Sequence, residues 1–321
     1  MKHLMIALLL AVCFAHPLPM NAQQSTSDDE LDALIERLSA LIETAQTYTS
    51  FTSNVNNITE RGSLISVPDL DYEVDSATNV YYSAVRDLIF DADDGTPVNA
   101  GVLSVIDVFE VVDEFTDGYQ LIAETRLVDG TVYLRTAIDS EEMNAALELG
   151  EDWRLIDDPV QIAELAVSEF NNTFAVDGVT TLTWLALVDS IDLANSITLG
   201  EAILQEETYE TVTFSYTGAD FLTFSEQVVD LQLAGNVLGE IIAAQVSVQD
   251  DEVFSFTLFI NADGQIAGNE LEMRLEVVID GADVGPELAG GTVTSSTFML
   301  QQEILTGINV PLEPVNAPEM P

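Results

Sequence analysis

The side chains most often used in catalysis are concentrated in the first sixteen residues of the chain. Residues 1–16 contain the only lysine, the only cysteine and both histidines: Lys2, Cys13, His3 and His16. Beyond them there are carboxylates, tyrosines and seven arginines, since the eight basic residues include the single lysine. Without histidine or cysteine, this part lacks the usual base and nucleophile of hydrolases and the usual ligands of zinc, copper and iron–sulfur sites. We therefore expect no enzyme, no cofactor and no metal site.

The same first residues are typical of a secretory signal peptide. Lys2 precedes an apolar run over 4–14, and prolines follow before the small residue Ala22. The run is too short to cross a membrane, which takes about 20 apolar residues. We expect cleavage after Ala22, so that residues 1–22 are the signal and the protein is secreted or extracytoplasmic, in the periplasm or cell envelope. The alternative is a lipid anchor on Cys13, although the valine before it fits a lipoprotein signal poorly.

The charge of the chain indicates a solvated surface, whereas its hydropathy indicates a surplus of apolar residues. The chain has 56 acidic residues and a formal net charge of −48. That charge excludes nucleic acid and anionic membrane surfaces as electrostatic partners, and the even spread of the acids indicates a solvated surface. Yet 47% of the residues are hydrophobic and the mean hydropathy is +0.23. The apolar surplus favours a protein that binds an apolar ligand.

Carboxylate pairs leave a second function open, a secreted glycosidase-like hydrolase that works with carboxylates alone. The pairs include Glu141-Glu142, Asp157-Asp158 and Asp250-Asp251. Among 56 acids such pairs arise by chance, so they say little about a site. A third alternative is an envelope scaffold whose sheet packs against other proteins.

The elements that would position a site begin with an amphipathic helix. Ser27 and Glu30 form a capping box, and an apolar stripe of helical spacing continues to Ala45. Six residues of the stripe are the candidate lid over a binding site: Leu31, Leu34, Ile35, Leu38, Leu41 and Ile42. Further helices are predicted over 159–170, 179–194 and 221–244.

Most of the remaining chain is predicted to form antiparallel strands. Runs rich in β-branched and aromatic residues span 80–90, 101–112, 209–216 and 296–306. Two hairpins turn at Asp129-Gly130 and near Asp263-Gly264. Charged and apolar residues alternate from Glu270 to Val277, which makes one strand face apolar. The expected fold class is α+β, a single large antiparallel sheet with an apolar face covered by amphipathic helices.

The apolar strand faces supply the candidate ligand-binding residues. These are Val212, Phe214, Tyr216, Phe254, Phe256, Leu258, Leu271, Met273, Leu275 and Val277. The same residue types also build an ordinary core, so packed core and cavity lining stay equal alternatives. Arg126, Arg135 and Arg274 fall on the opposite face, where we expect cross-strand ion pairs.

The chain also resembles a known family. Three stretches carry the likeness: VDGTVYLRTA with GEDWRLID (128–157), FTLFINADGQIAG (256–268) and INVPLEPVNAP (308–318). They resemble a hairpin, a late strand and the proline-rich finish of LolA-like, LppX/LprG-type lipid-binding envelope proteins. The resemblance implies a curved, unclosed half-barrel over 23–311, with a proline-rich extended tail over 312–321. It also implies a carrier that holds lipids or acyl chains of lipoproteins between the concave face and lid helices.

The partners follow from these expectations. We expect a monomer that binds a lipid or an acylated protein in an apolar cavity between sheet and helices. Other envelope proteins are further expected partners, and nucleic acid is not.

Overall fold

The computed structural model describes residues 28–68, 72–91, 97–112, 115–138, 152–156, 191, 194–228, 244–246 and 248–320. The expected signal peptide and the capping residue Ser27 lie outside the described residues. So do the helices predicted over 159–170 and 179–194, apart from Ile191 and Ala194.

Eleven strands form one antiparallel sheet. They are β1 Ser50–Val67, β2 Tyr72–Phe90, β3 Pro97–Val112, β4 Phe115–Val128, β5 Thr131–Ile138, β6 Arg154–Ile156, β7 Ser196–Leu204, β8 Glu207–Thr217, β9 Glu252–Ile260, β10 Ile266–Asp280 and β11 Thr292–Thr306. Their order across the sheet is β6-β5-β4-β3-β2-β1-β11-β10-β9-β8-β7. Within the described residues the outermost strands, β6 and β7, do not pair, so the sheet stays open. The expected α+β fold with one large unclosed antiparallel sheet is confirmed.

The topology consists of two meanders, β1–β6 and β7–β11. They are joined in the middle of the sheet, where the first strand pairs with the last. That pairing runs without interruption from Thr52 opposite Thr306 to Ser66 opposite Thr292. The two ends of the described chain are therefore held in one continuous ladder.

Both predicted hairpins are present. Asp129 and Gly130 join β4 to β5 with φ angles of 51° and 75°, the left-handed pair that a two-residue hairpin turn requires. The turn between β9 and β10 contains Gly264, whose φ is 72°. The apolar run over 101–112, which could be misread as a helix, lies in β3 as predicted.

The sequence does not predict β6 or β7. Gln205 and Glu206 join β7 to β8 with φ angles of 51° and 70°. This backbone conformation favours glycine and asparagine, and neither residue is present. The usual sequence signal of a hairpin is therefore absent at this turn.

The helices include α1 (Asp28–Ala45), α2 (Gly218–Val228) and α3 (Gly281–Val284). The first is the predicted amphipathic helix, and α2 begins the helix predicted over 221–244. A 3₁₀ turn, Pro286–Leu288, precedes β11. In the part of the chain that the structure describes, no helix is long and apolar enough to span a membrane.

After β11 the chain continues without regular secondary structure across one end of the sheet. The Asn309 side chain accepts a hydrogen bond from the backbone of Thr49 at 2.8 Å. Farther along, Asn99 and Val315 exchange two hydrogen bonds of 2.9 Å each. Gly101 leaves room for this segment, since a Cβ there would lie 2.9 Å from Val315. The tail thus connects the beginnings of β1 and β3.

Candidate ligand-binding face

The inner face of the sheet is the face that α1 covers. Cross-strand pairs establish which residues lie on it: Phe214 is opposite Phe256, and Phe256 is opposite Leu271. Because alternate residues of a strand share a face, the register places all ten candidate ligand-binding residues on the inner face. They form one continuous apolar surface across β8, β9 and β10.

Burial divides these ten residues into two groups. Seven are buried: Val212, Phe214, Tyr216, Phe254, Phe256, Leu258 and Val277. They belong to the main hydrophobic core together with Leu38 and Ile42 of α1. By contrast, Leu271, Met273 and Leu275 on β10 are only half-buried. The part of the face on β8 and β9 is therefore packed core, and the part on β10 is more open.

The half-buried surface continues from β10 onto the neighbouring strand. Met273 is opposite Met299 of β11, which is also half-buried. We call Leu271, Met273, Leu275 and Met299 the open strip. Methionine side chains are unbranched and polarizable, so they adapt to apolar groups of different shape. The open strip is thus the accessible apolar part of the predicted set.

All six candidate lid residues of α1 contact the sheet. Leu34, Leu38 and Ile42 are buried, and Leu31, Ile35 and Leu41 pack against the same core. Arg37 makes a bidentate ion pair with Glu210 of β8, with N–O distances of 2.5 and 2.7 Å. The hydrogen bond from Arg37 lowers the pKa of Glu210. Both side chains are at least 40% exposed, so the pair contributes little and the apolar stripe holds the helix.

A row of polar side chains crosses the rest of the inner face. We call it the polar band; it takes one residue from each of β10, β11 and β1 to β6. Its members are Asn269, Glu303, Ser53, Arg86, Ser104, Thr125, Thr136 and Arg154. Arg154 is half-buried, and none of the other seven is more than 7% exposed. The inner face is therefore not apolar throughout.

The polar band contains a buried acid and a buried base. The Glu303 carboxylate is 3% exposed and accepts hydrogen bonds from Ser53 and, at 3.4 Å, from Asn269. The Arg86 guanidinium donates to the Tyr82 hydroxyl at 3.3 Å. Burial raises the pKa of Tyr82, and the charge and hydrogen bond of Arg86 oppose that rise. Buried charged side chains such as these are kept in a protein interior only where they have polar partners. This part of the inner face is therefore polar.

Sequence reasoning missed the polar band, although one signal was available. Arg86 lies between Ala84 and Leu88, in phase with two buried apolar residues of β2. A charged residue in phase with a buried set is a candidate interior group. Its neighbours on β1 and β3 are known only from the pairing, so the sequence does not reveal a band.

The mid-strand arginines of β4 and β5 lie on the opposite, outer face. Arg135 is opposite Glu124 and pairs with it across the strands, and Arg126 donates to the same carboxylate at 2.7 Å. Both guanidinium groups stack on Trp153, 4.7 and 4.9 Å from its ring centre. Burial would raise the pKa of Glu124, but the hydrogen bonds from the two arginines outweigh it and lower the pKa. Arg135 thus forms a cross-strand ion pair, whereas Arg126 pairs with a carboxylate of its own strand.

The acidic side chains do not gather into a metal site in the described ranges. No group of three or more His, Cys, Asp or Glu side chains lies close enough together there to hold a metal ion.

A cavity of about 920 Å³ opens beside β1, β2, β10 and β11. Most of its lining residues occupy outward-facing positions, and many are charged or polar. Arg274 in its wall pairs with Glu272 at 2.5 Å and stacks on Phe298 at 5.2 Å. Of the ten candidate ligand-binding residues, only Leu275 lines it. This cavity is therefore distinct from the apolar site expected on the inner face.

Comparisons with known proteins find similarity among solved structures. No family model and no curated protein matches the chain. Among solved structures it is similar to the lipoprotein LppX of Mycobacterium tuberculosis, with 11% identity, a TM-score of 0.34, and coverage of 90% of this chain and 100% of that one. It is also similar to LprF from Mycobacterium bovis, with 10% identity, a TM-score of 0.36, and coverage of 89% and 97%.

Proposed function

We propose that the protein is an extracytoplasmic, non-catalytic carrier or binding protein for lipids or the acyl chains of lipoproteins. The observation that supports the proposal is the division of the inner face. Its aromatic part is packed in the main core together with α1 and Phe221 of α2, whereas the open strip beside it stays half-buried. An acyl chain would lie on the open strip, between the sheet and α1.

Apolar burial would drive the binding. Each buried CH₂ group of a ligand contributes about 0.8 kcal/mol, so a long chain can bind tightly in spite of its ordering cost. Helix α1 would act as a lid, because its apolar stripe is what holds it to the sheet. Moving the helix breaks no strand pairing, and it would uncover Phe214 and Phe256 for a larger ligand.

The cellular setting belongs to the same proposal. The expected signal over residues 1–22 would direct the chain out of the cytoplasm, where it would meet lipids or acylated proteins. Cleavage after Ala22 would leave it unanchored, whereas acylation of Cys13 would tether it to a membrane.

A single charge on the open strip tests the proposal. The probe is parinaric acid, a fatty acid whose fluorescence rises when it is bound. We expect Met273→Asp to weaken binding by tenfold or more, because a carboxylate on the open strip must lose water when the chain covers it. The matched control is Val278→Asp on the outer face of the same strand, where the wild-type side chain is 49% exposed. This control should bind the probe as the wild type does.

Two results would overturn the carrier function. One is a folded wild-type protein that does not bind the probe. The other is equal binding by both variants, which would leave the open strip without a role. Circular dichroism of both variants establishes that they are folded before binding is compared.

A further inference from the structure

Apart from Arg86 Nε, whose guanidinium group donates to Tyr82 through another nitrogen, three polar groups of the polar band are buried without a hydrogen-bond partner in the described part of the chain. They are the hydroxyl oxygens of Thr125 and Thr136 and the Nη2 atom of Arg154. Thr125 is 1% exposed and Thr136 is 2% exposed, so bulk solvent does not hydrate them. Buried polar groups are nearly always hydrogen-bonded in native proteins, and three exceptions in one place call for an explanation.

The surroundings of Arg154 differ from those of the other arginines. Each of the other six has at least one partner: Arg37, Arg61, Arg86, Arg126, Arg135 and Arg274. Within the described ranges Arg154 has neither a hydrogen bond nor an ion pair. The chain has 56 acidic residues for 8 basic ones, so a lack of acids does not account for this. Among the described residues, no acid therefore occupies the guanidinium group of Arg154.

The strand register brings the three groups close together. Thr125 is opposite Leu134, and Leu134 is opposite Arg154. Thr136 follows Leu134 by two residues and shares its face. Neighbouring strands are about 4.8 Å apart and diagonal partners about 7–8 Å, so one small polar group can contact both hydroxyls and the long arginine side chain.

We propose that Thr125, Thr136 and Arg154 bind the anionic head group, a carboxylate or a phosphate, of an acyl ligand. The inference rests on the carrier function proposed above and specifies the ligand class. Oxygens of either anion accept hydrogen bonds from guanidinium and hydroxyl donors, and the charged bonds are the stronger ones. Binding would satisfy the three groups that the sheet leaves unsatisfied.

Apolar surface for the rest of the ligand lies in the adjoining rows of the inner face. Leu121 follows along β4, and Ile106 of β3 is opposite it; they are 2% and 3% exposed. Both belong to a hydrophobic cluster separate from the core under α1. From there, the register leads across Tyr82, Asn57 and Gln301 to Leu271 of the open strip. The head group and the chain of one ligand therefore have adjoining surfaces.

Head-group preference tests this inference apart from the carrier function. The probes are parinaric acid, its methyl ester, and lysophosphatidic acid as a competitor that carries a phosphate. The wild type should bind the acid about tenfold to a hundredfold more tightly than the ester, since one charge-assisted hydrogen bond accounts for that range. Arg154→Met should remove this preference, so that acid and ester bind equally, whereas Arg154→Lys should keep part of it. The control, Arg274→Met, changes an exposed arginine and should keep the whole preference.

The threonines provide a second, independent measurement. Thr125→Val and Thr136→Val remove a hydroxyl with little change of shape, so a purely structural hydroxyl would lower the melting temperature when it is lost. For a hydroxyl without a partner, we expect an unchanged or higher melting temperature in the ligand-free protein and severalfold weaker binding of the acid.

Each outcome supports or overturns a particular statement. Equal binding of acid and ester by the wild type would overturn the head-group site and leave the carrier function standing. Failure of every probe to bind would overturn both. A preference for lysophosphatidic acid over parinaric acid would identify phosphate as the head group, and the reverse preference would identify carboxylate. Unchanged acid binding in both valine variants would exclude the hydroxyls from the site.

Discussion

The inner face has two halves that are built from the same kind of strand and filled in opposite ways. On β8 and β9 it carries Phe214, Tyr216 and Phe256, all at most 1% exposed and packed under α1. On β1 to β6 the same face carries the polar band. The change falls between β9 and β10, where Leu258 of the aromatic half is opposite Asn269 of the polar band. Residues that are buried to the same extent in the two halves therefore differ in polarity.

The two halves differ in how much their buried residues stabilise the fold. Burial of aromatic and aliphatic groups stabilises the first half directly, by about 25 cal/mol for each Å² of apolar surface removed from water. In the other half, Thr125 and Thr136 are just as deeply buried and gain no hydrogen bond. A protein tends to keep such a destabilising arrangement where it serves a function. The aromatic half is thus mainly core, and the polar half is the more informative region for ligand chemistry.

The largest effect is expected in the aromatic half. Phe256→Ala removes a ring that is 1% exposed, and we expect the free energy of unfolding to fall by about 3–5 kcal/mol. Urea denaturation followed by circular dichroism measures it. Phe109→Ala, at a ring that is 45% exposed on the outer face, is the control and should lower it by about 1 kcal/mol or less. Equal losses in the two variants would contradict the assignment of Phe256 to the core.

An intermediate effect is expected at the acid of the polar band. Glu303→Ala leaves Ser53 and Asn269 without their shared acceptor, so we expect a loss of about 2 kcal/mol in the free energy of unfolding. Glu303→Gln retains one acceptor oxygen and should lose less. Glu276→Ala, at an exposed acid, serves as the control. If Glu303→Ala were as stable as this control, the hydrogen bonds of Glu303 would add nothing to folding.

The smallest effect concerns the outer face of the polar half, where Glu124 pairs with Arg126 and Arg135. The pKa of Glu124 is lowered in the folded protein, so its contribution is present at neutral pH and is lost as the pH falls below the ordinary value of 4.5. Glu124→Gln should lower the free energy of unfolding by about 0.5–1 kcal/mol at pH 7. The difference from the wild type should disappear in acid. Urea titrations over a pH series measure it, and a difference independent of pH would contradict the ion-pair explanation.

The sequence predicted the elements that depend on local patterns. Helix α1 and the Asp129-Gly130 hairpin follow from spacing and turn residues within a few positions. The strand β7 was missed because the turn at Gln205 and Glu206 lacks the residues that mark left-handed conformations. The alternation shows which candidate residues share a face within one strand, and only the register shows that these faces of β8, β9 and β10 coincide.

The polar band illustrates what local patterns cannot reveal. Arg86, Thr125 and Arg154 are far apart in the chain, and only the register shows that they share one face. Burial also separates the candidates into core and open strip, because it depends on where α1 packs. The candidates in the core and those in the open strip are all hydrophobic, so residue type alone does not separate them. Their division between β8–β9 and β10 therefore required the tertiary structure.

The pairing of β1 with β11 has a consequence for the order of folding. Each meander is built from hairpins whose strands are neighbours in sequence, so these contacts can form early and locally. The β1–β11 ladder joins residues such as Thr52 and Thr306, which are 254 positions apart. Closing so long a loop is entropically unfavourable, and the ladder cannot begin until the last strand has left the ribosome. Until the ladder forms, β1 and β11 are free edges of the two meanders and can pair with other chains, so this late contact is also the one that covers both of them.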